Sequence, residues 1–405
     1  MSQLVTLGTQ SKRRWMILSL GLTAQTASCS FLYGLPFLIP EMHARSLADA
    51  GTVVAAPSIG LLCTLIAWGA AADRYGERLV MALGLGLSGL LLVITGLTAP
   101  PAGPEFTLFV LAGAGSASVN AASGRAVLGW FGPAERGTAM GIRQTAQPLG
   151  VGLAALTLPP LARHWGFFPA LEFPACFALV AAVLVAWLVV DPPRPDKVAG
   201  QEKPVSPYRK PALWRLHGAS ALLVVPQFAV SAFAPVFLVQ ARHWSPLAAG
   251  WFLAAAQVLG AGGRLASGYW SDRVGGRLKP MRQLAVASTL VMLLVALGDA
   301  TWTWLVLLAL VLAAVITVAD NGLGFTASAE LAGAGWAGRA MGAQNTAQNL
   351  AASLTPPMLG LVIGDSRYAL AFCVAAIFPV LAIGLTPVGA ERERRPRQSN
   401  SDSRR

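Results

Sequence analysis

The sequence predicts an all-α membrane protein with twelve transmembrane helices in two pseudo-symmetric six-helix bundles, and three observations predict it. Of 405 residues, 55% are hydrophobic and only 12% charged, with a mean hydropathy of +0.59, whereas a soluble domain carries roughly a quarter charged residues. Apolar runs alternate with charged loops, and the runs have the length of roughly 20 residues that a helix needs to cross a hydrocarbon core. The chain also repeats itself, half against half.

Reading apolar runs between charges places helices near 15–39, 51–72, 79–98, 105–131, 137–160, 167–190, 214–239, 247–271, 281–299, 302–331, 337–362 and 368–387. Lys and Arg concentrate in cytoplasmic loops and so report orientation. With the N-terminus inside, Arg45, Arg163, Arg242 and Arg367 fall in outer loops and Arg125, Arg143 and Arg264 within helices; every other Lys and Arg of the 30 is cytoplasmic. The expected setting is a bacterial inner membrane with both termini cytoplasmic. The net charge of +12 is then a topology signal and requires no nucleic-acid partner.

The Pro-, Lys- and Arg-rich segment 191–213 reads as a cytoplasmic linker between bundles 1–190 and 214–389, and 390–405 as a disordered basic tail. The halves align at an offset of 199, where Pro36 meets Pro235, Ser46 meets Ser245 and Gly51 meets Gly250. At an offset of 201, Asn120 meets Asn321, and Ala139–Gln147 meets Ala340–Gln348. Parallel repeats of six helices are related by an axis along the membrane normal.

The four cysteines stand singly inside apolar runs, so neither disulfides nor a zinc site is expected. Lys12-Arg13-Arg14 before an apolar run imitates a signal peptide, but this stretch has an internal counterpart in the second half. Gly-rich stretches around Gly113 and Gly260 lie inside helices without a following Gly-Lys-Ser/Thr, which excludes a phosphate loop within the chain. No cofactor, metal or enzymatic activity is expected.

Gly69-Ala-Ala-Ala-Asp73-Arg74-Tyr75-Gly76-Glu77-Arg78, between helices 2 and 3, resembles the signature loop of the major facilitator superfamily, and Gly268–Arg277 is its second copy. Glu77 and Gly276 depart from the basic residue that the signature carries there. The resemblance implies a transporter working by alternating access, with helices 1, 4, 7 and 10 lining a cavity and helices 2, 5, 8 and 11 flanking it. In physical terms, an Asp at a helix end can meet the positive N-terminus of another helix. Asp73, Arg74, Arg78, Arg125, Asp272 and Arg273 are therefore expected as cytoplasmic gate or latch residues.

Polar residues fall where that arrangement wants them: Gln25 and Tyr33 on helix 1, Asn120 on helix 4, Arg143 and Gln147 on helix 5. In the second half they are Gln257 and Arg264 on helix 8, Asp320 and Asn321 on helix 10, and Gln344, Asn345 and Gln348 on helix 11. Helices 3, 9 and 12 are almost without such residues, as lipid-facing helices should be. An intramembrane guanidinium is costly and functional by default, and Arg264 also resembles the helix-8 arginine of oxalate/formate and monocarboxylate transporters. Burial and a neighbouring arginine act in opposite senses on a carboxylate, so Asp320 is the candidate proton-coupling group; a permanent ion pair with Arg264 is the alternative. Three intrahelical arginines favour a small anionic cargo, moved by proton symport or anion exchange in a monomer. The chain looks most like cyanate/nitroimidazole-permease relatives and organic-anion members; the alternative is a proton-driven drug or metabolite exporter.

Overall fold

The computed structural model describes residues 2–42, 47–192, 205–301, 304–333, 335–364 and 367–392. Arg45, Ser46, Trp302, most of the linker (193–204) and the tail from 393 onward lie outside the described residues. A chain in hydrocarbon must satisfy every backbone N–H and C=O internally, and the described residues accordingly form helices in succession.

The first half holds α1 (Ser2–Leu32), α2 (Leu47–Tyr75), α3 (Glu77–Thr98), α4 (Ala102–Trp130), α5 in two pieces (Arg136–Gln144 and Ala146–Trp165) and α6 (Phe167–Leu188). The second half holds α7 (Pro211–Val236), α8 (Pro246–Val274), α9 (Leu278–Ala300), α10 in two pieces (Leu305–Ile316 and Asn321–Ala332), α11 (Ala337–Ile363) and α12 (Tyr368–Leu385). Nine of these spans among the described residues are long and apolar enough to cross a membrane. The exceptions are α5, α8 and α11, the helices into which the sequence concentrates its amides and arginines.

The structure corrects the sequence reading at three places. The tail expected to be disordered from 390 is helical over its first residues, for Val388–Arg392 is a short helix, α13. α10 is not continuous but is interrupted at Thr317–Asp320, and α5 is interrupted at Thr145. Both interruptions fall beside residues singled out as polar sites.

Contacts divide the chain into two compact units. One comprises Met1–Gly132, Ile142–Pro204 and Gly333–Asn345; the other comprises Pro133–Gly141, Val205–Ala332 and Thr346–Arg405. Each unit is thus one half of the chain plus the first turns of a helix from the other half, α11 in the first unit and α5 in the second.

Within the first unit, α2 and α4 approach backbone to backbone. A Cβ at Gly113 would stand 2.1 Å from the Pro57 carbonyl oxygen, and one at Gly60 would stand 1.8 Å from that of Val110. Small residues permit such contact between membrane helices, where lipid removes any hydrophobic drive to associate. Gly113→Leu is expected to abolish recovery of monodisperse protein in detergent, read by size exclusion, since nothing at this backbone contact can yield to the added volume.

The outer surface is apolar. Leu79, Leu83, Leu87, Leu90, Ile94 and Leu97 of α3 recur every three or four residues and are all 39% exposed or more. α9 repeats the pattern with Val286, Leu290, Leu293 and Leu297, and α12 with Leu370, Ile377 and Leu381. Stripes of this length are incompatible with water and suited to acyl chains.

Candidate functional site

In the first unit the polar residues gather around Arg143, which is 2% exposed. It stands at the end of the first piece of α5, just before the Thr145 interruption. Its Nε donates to Ser123 Oγ (2.9 Å), Nη2 donates to Gln25 Oε1 and the Asn120 carbonyl oxygen (3.2 Å each), and Nη1 donates to Gln144 Oε1 (2.9 Å). Gln25 Nε2 donates to Asn120 Oδ1 (2.8 Å), and Asn345, in the part of α11 that belongs to this unit, donates to the Asn120 carbonyl (3.2 Å). Gln344 beside it is fully buried. A guanidinium held among neutral oxygens of α1, α4 and α5 keeps its positive charge and can receive an anionic group in exchange for one of these neutral acceptors. Ser123 and Gln144 are integral to the cluster although they were not assigned to the binding set.

In the second unit the polar residues gather at the break in α10. Asn321 Nδ2 donates to Gln227 Oε1 (3.1 Å) and Asn321 Oδ1 accepts from Gln348 Nε2 (3.4 Å). Asp320, 2% exposed, occupies the last residue of the interruption, and its Oδ2 has no hydrogen-bond partner. Arg264, 4% exposed, lies within electrostatic reach of it. Ser267 Oγ donates to the Ala319 carbonyl (2.6 Å) and ties α8 to the break. Broken membrane helices at which polar groups meet are a recurring way to build ion and substrate sites.

Other assigned residues sit less centrally. Tyr33 and Gln147 are half-buried, and Gln257 is exposed. The seven-residue spacing that puts Gln257 on the face of Arg264 does not carry it to the same depth.

The expected contact of Asp73 with a helix start is present. Its carboxylate accepts from the backbone N–H of Gly338 (2.8 Å) and Arg339 (3.1 Å) at the beginning of α11. Gly69 and Gly338 allow this approach, for a Cβ on either would stand 2.3 Å from the other's carbonyl oxygen. Asp272 in the second unit does the same at the start of α5, accepting from Gly137 N (2.9 Å), Thr138 N (2.7 Å) and Thr138 Oγ1 (2.7 Å). A carboxylate satisfies otherwise unpaired N–H groups there and meets the positive end of the helix dipole.

The basic residues of the two loops find different partners. Arg125 does reach Asp73 (3.6 Å), but its shorter contacts are with Glu77 (2.7 Å) and the Ala72 carbonyl (2.6 Å) at the end of α2. Arg74 and Arg273 are exposed and lie over the rings of Tyr75 and Tyr269. Arg78 turns to α6, donating from Nε to the Ala186 carbonyl (2.7 Å). Its counterpart Arg277 is the buried one, pairing with Asp272 (2.6 Å) and donating to the Pro133 carbonyl (2.5 Å). Glu77 and Arg277 were missed; Glu77 looked like a defect in the signature loop, yet it is fully buried.

A lipid-facing shell around buried polar clusters on broken helices defines a multi-pass membrane protein. A family model of the Major Facilitator Superfamily matches residues 16–356. The chain is 43% identical over 382 residues to an uncharacterised MFS-type transporter of Mycobacterium tuberculosis, Rv2994, covering 93% of this chain and 85% of the relative. The chain belongs to the Major Facilitator Superfamily. It is also 26% identical over 294 residues to the glycerol-3-phosphate transporter of Bacillus subtilis, covering 66% of each. Two solved structures share the fold: the E. coli fucose:proton symporter FucP, with a TM-score of 0.73 at 14% identity over 92% of this chain and 98% of that one, and the human organic anion transporter MFSD10, with a TM-score of 0.73 at 18% identity over 93% and 99%.

Proposed function

We propose that this chain is a secondary active transporter that carries a small, monocarboxylate-like organic anion across a bacterial inner membrane by alternating access. The observation that carries the reading is Arg143, a buried guanidinium presented among neutral amide, hydroxyl and carbonyl oxygens of α1, α4 and α5. Arg264 provides a second buried guanidinium, in the second unit. The Bacillus subtilis relative bears the name of a glycerol-3-phosphate transporter, and glycerol 3-phosphate is itself a small organic anion. Movement is driven by proton symport, with Asp320 as the proton-binding group, or by exchange of one anion for another. The bundles 1–190 and 214–389 act as a monomer, with linker and termini in the cytoplasm.

Proteoliposomes offered radiolabelled lactate, benzoate, formate and glycerol 3-phosphate, with and without an inward proton gradient, test the proposal. At least one anion should accumulate or exchange. Transport confined to neutral or cationic compounds would contradict it.

The topology is checked separately. Alkaline phosphatase fused after Asp299 should be active, and after Asp196 or Arg397 inactive.

Asp73 and Asp272 act as latches on the starts of α11 and α5. Asp73→Asn retains an acceptor oxygen but loses the charge that favours a helix N-terminus, a contribution of up to about 2 kcal/mol. Transport should slow markedly while equilibrium substrate binding stays within a few-fold. Equal losses in both would assign Asp73 to binding or folding instead.

A further inference from the structure

We infer that Gln25 is a positioning residue that aims Arg143 and thereby sets the charge preference of the first unit's cluster; this rests on the reading of Arg143 as the anion-binding group. The amide of Gln25 is oriented by its neighbours. Its Nε2 is committed to Asn120 Oδ1 at 2.8 Å, which turns Oε1 toward Arg143 Nη2 (3.2 Å). Ser123 Oγ in turn accepts from Arg143 Nε (2.9 Å) and donates to the Val119 carbonyl (2.6 Å). Gln25 and Ser123 thus hold the Nε and Nη2 edge of the guanidinium against α1 and α4 and fix its plane, and with it the direction of Nη1, which donates to Gln144. An amide provides this hold without adding charge. A carboxylate of the same shape would hold the guanidinium more tightly and neutralise it.

The second unit shows the same pair with a different third partner. Gln227 on α7 and Asn321 on α10 are hydrogen-bonded as Gln25 on α1 and Asn120 on α4 are, but there the asparagine donates and the glutamine accepts. The additional partner of Asn321 is the amide of Gln348, where the first-unit pair serves a guanidinium. The two Gln–Asn pairs thus have opposite donor–acceptor polarity beside different third partners.

The test uses the full-length protein in two measurements. Melting temperatures in detergent, without ligand, are taken for wild type, Gln25→Leu, Arg143→Gln and the double variant. A residue acting through Arg143 predicts non-additivity: Gln25→Leu lowers the melting temperature clearly in the Arg143 background and much less in the Arg143→Gln background. Equal shifts in both backgrounds overturn the positioning role. Uptake of labelled lactate and benzoate into proteoliposomes is then compared for Gln25→Leu and Gln25→Glu. A packing role makes the isosteric Gln25→Glu the milder change. A charge-setting role makes it the more severe, with uptake down about a hundredfold against about tenfold for Gln25→Leu. Uptake by Gln25→Glu equal to or above that of Gln25→Leu overturns the inference. Wild-type protein that moves neither label overturns the charge-setting half together with the reading it rests on, while the melting cycle still decides whether Gln25 positions Arg143.

Discussion

Arg143→Gln is expected to cut carboxylate uptake by about a hundredfold or more, while leaving a folded protein in the membrane. A buried charge that meets a substrate charge is worth several kcal/mol when one partner is truncated, because the other is left desolvated and unpaired. The side chain chosen for the test is one the fold already accommodates: the pseudo-symmetric position on α11 is Gln344, fully buried. Glutamine at 143 keeps hydrogen-bonding capacity toward Ser123 and Asn120, so loss of uptake with an unchanged size-exclusion profile would report the missing charge. Arg143→Lys should be intermediate, since an ammonium keeps the charge and loses the planar fork. Wild-type uptake in Arg143→Gln would remove Arg143 from the transport path.

The second large effect is expected at Asp320. Asp320→Asn should abolish accumulation driven by a proton gradient yet preserve substantial counterflow of labelled against unlabelled substrate. The residue closes the interruption of α10, is 2% exposed and has one carboxylate oxygen without a hydrogen-bond partner, with Arg264 in electrostatic reach. A buried carboxylate oxygen without a hydrogen bond is costly, and protonation relieves the cost. On the proposed coupling, an incoming anion that draws on Arg264 would remove the positive field that favours the ionised form, and proton uptake would follow substrate arrival. On that proposal asparagine, which mimics the protonated acid, would hold the carrier in the loaded form, able to exchange but not to couple. Arg264→Lys should weaken both activities. Normal gradient-driven accumulation by Asp320→Asn would leave anion exchange as the mechanism.

Much of this architecture is legible in the sequence because bilayer thickness and backbone hydrogen bonding leave few alternatives. The succession of spans, the lipid-facing character of α3, α9 and α12, and the repeat all follow from hydropathy and offset alone. The contact of Asp73 with a helix start was also readable, from the position of a carboxylate at a helix end in a duplicated loop. The helix interruptions were not. Ile316, Thr317 and Val318 are β-branched and Asp320 is a helix-capping type, which together weaken α10, but a run of apolar residues reads through them as one span. Thr145 in α5 is equally inconspicuous.

Side-chain partners were harder still. Arg78 and Arg277 occupy equivalent loop positions, yet one turns to α6 and the other enters a buried cluster with Asp272. The difference lies in what the neighbouring elements offer. Asp191 accepts from the Arg78 backbone N–H (2.8 Å), and Glu391 from that of Arg277 (2.5 Å). Both carboxylates therefore cap the helix start that follows the loop, but only the second loop has the Pro133 carbonyl and Asp272 available to its guanidinium. Glu391 lies in what the sequence suggested was an unstructured tail, so its capping role had no signal in composition.

Counterflow in proteoliposomes, with wild type and Arg143→Gln side by side, measures the central claim most directly. Vesicles loaded with unlabelled lactate or glycerol 3-phosphate are diluted into the labelled compound, and parallel vesicles are loaded with a neutral sugar or a lipophilic cation. An organic-anion carrier built around Arg143 predicts wild-type overshoot with at least one anion, none with the sugar or the cation, and collapse of the overshoot in Arg143→Gln. Overshoot with the cation, or anion overshoot undiminished by Arg143→Gln, would contradict it.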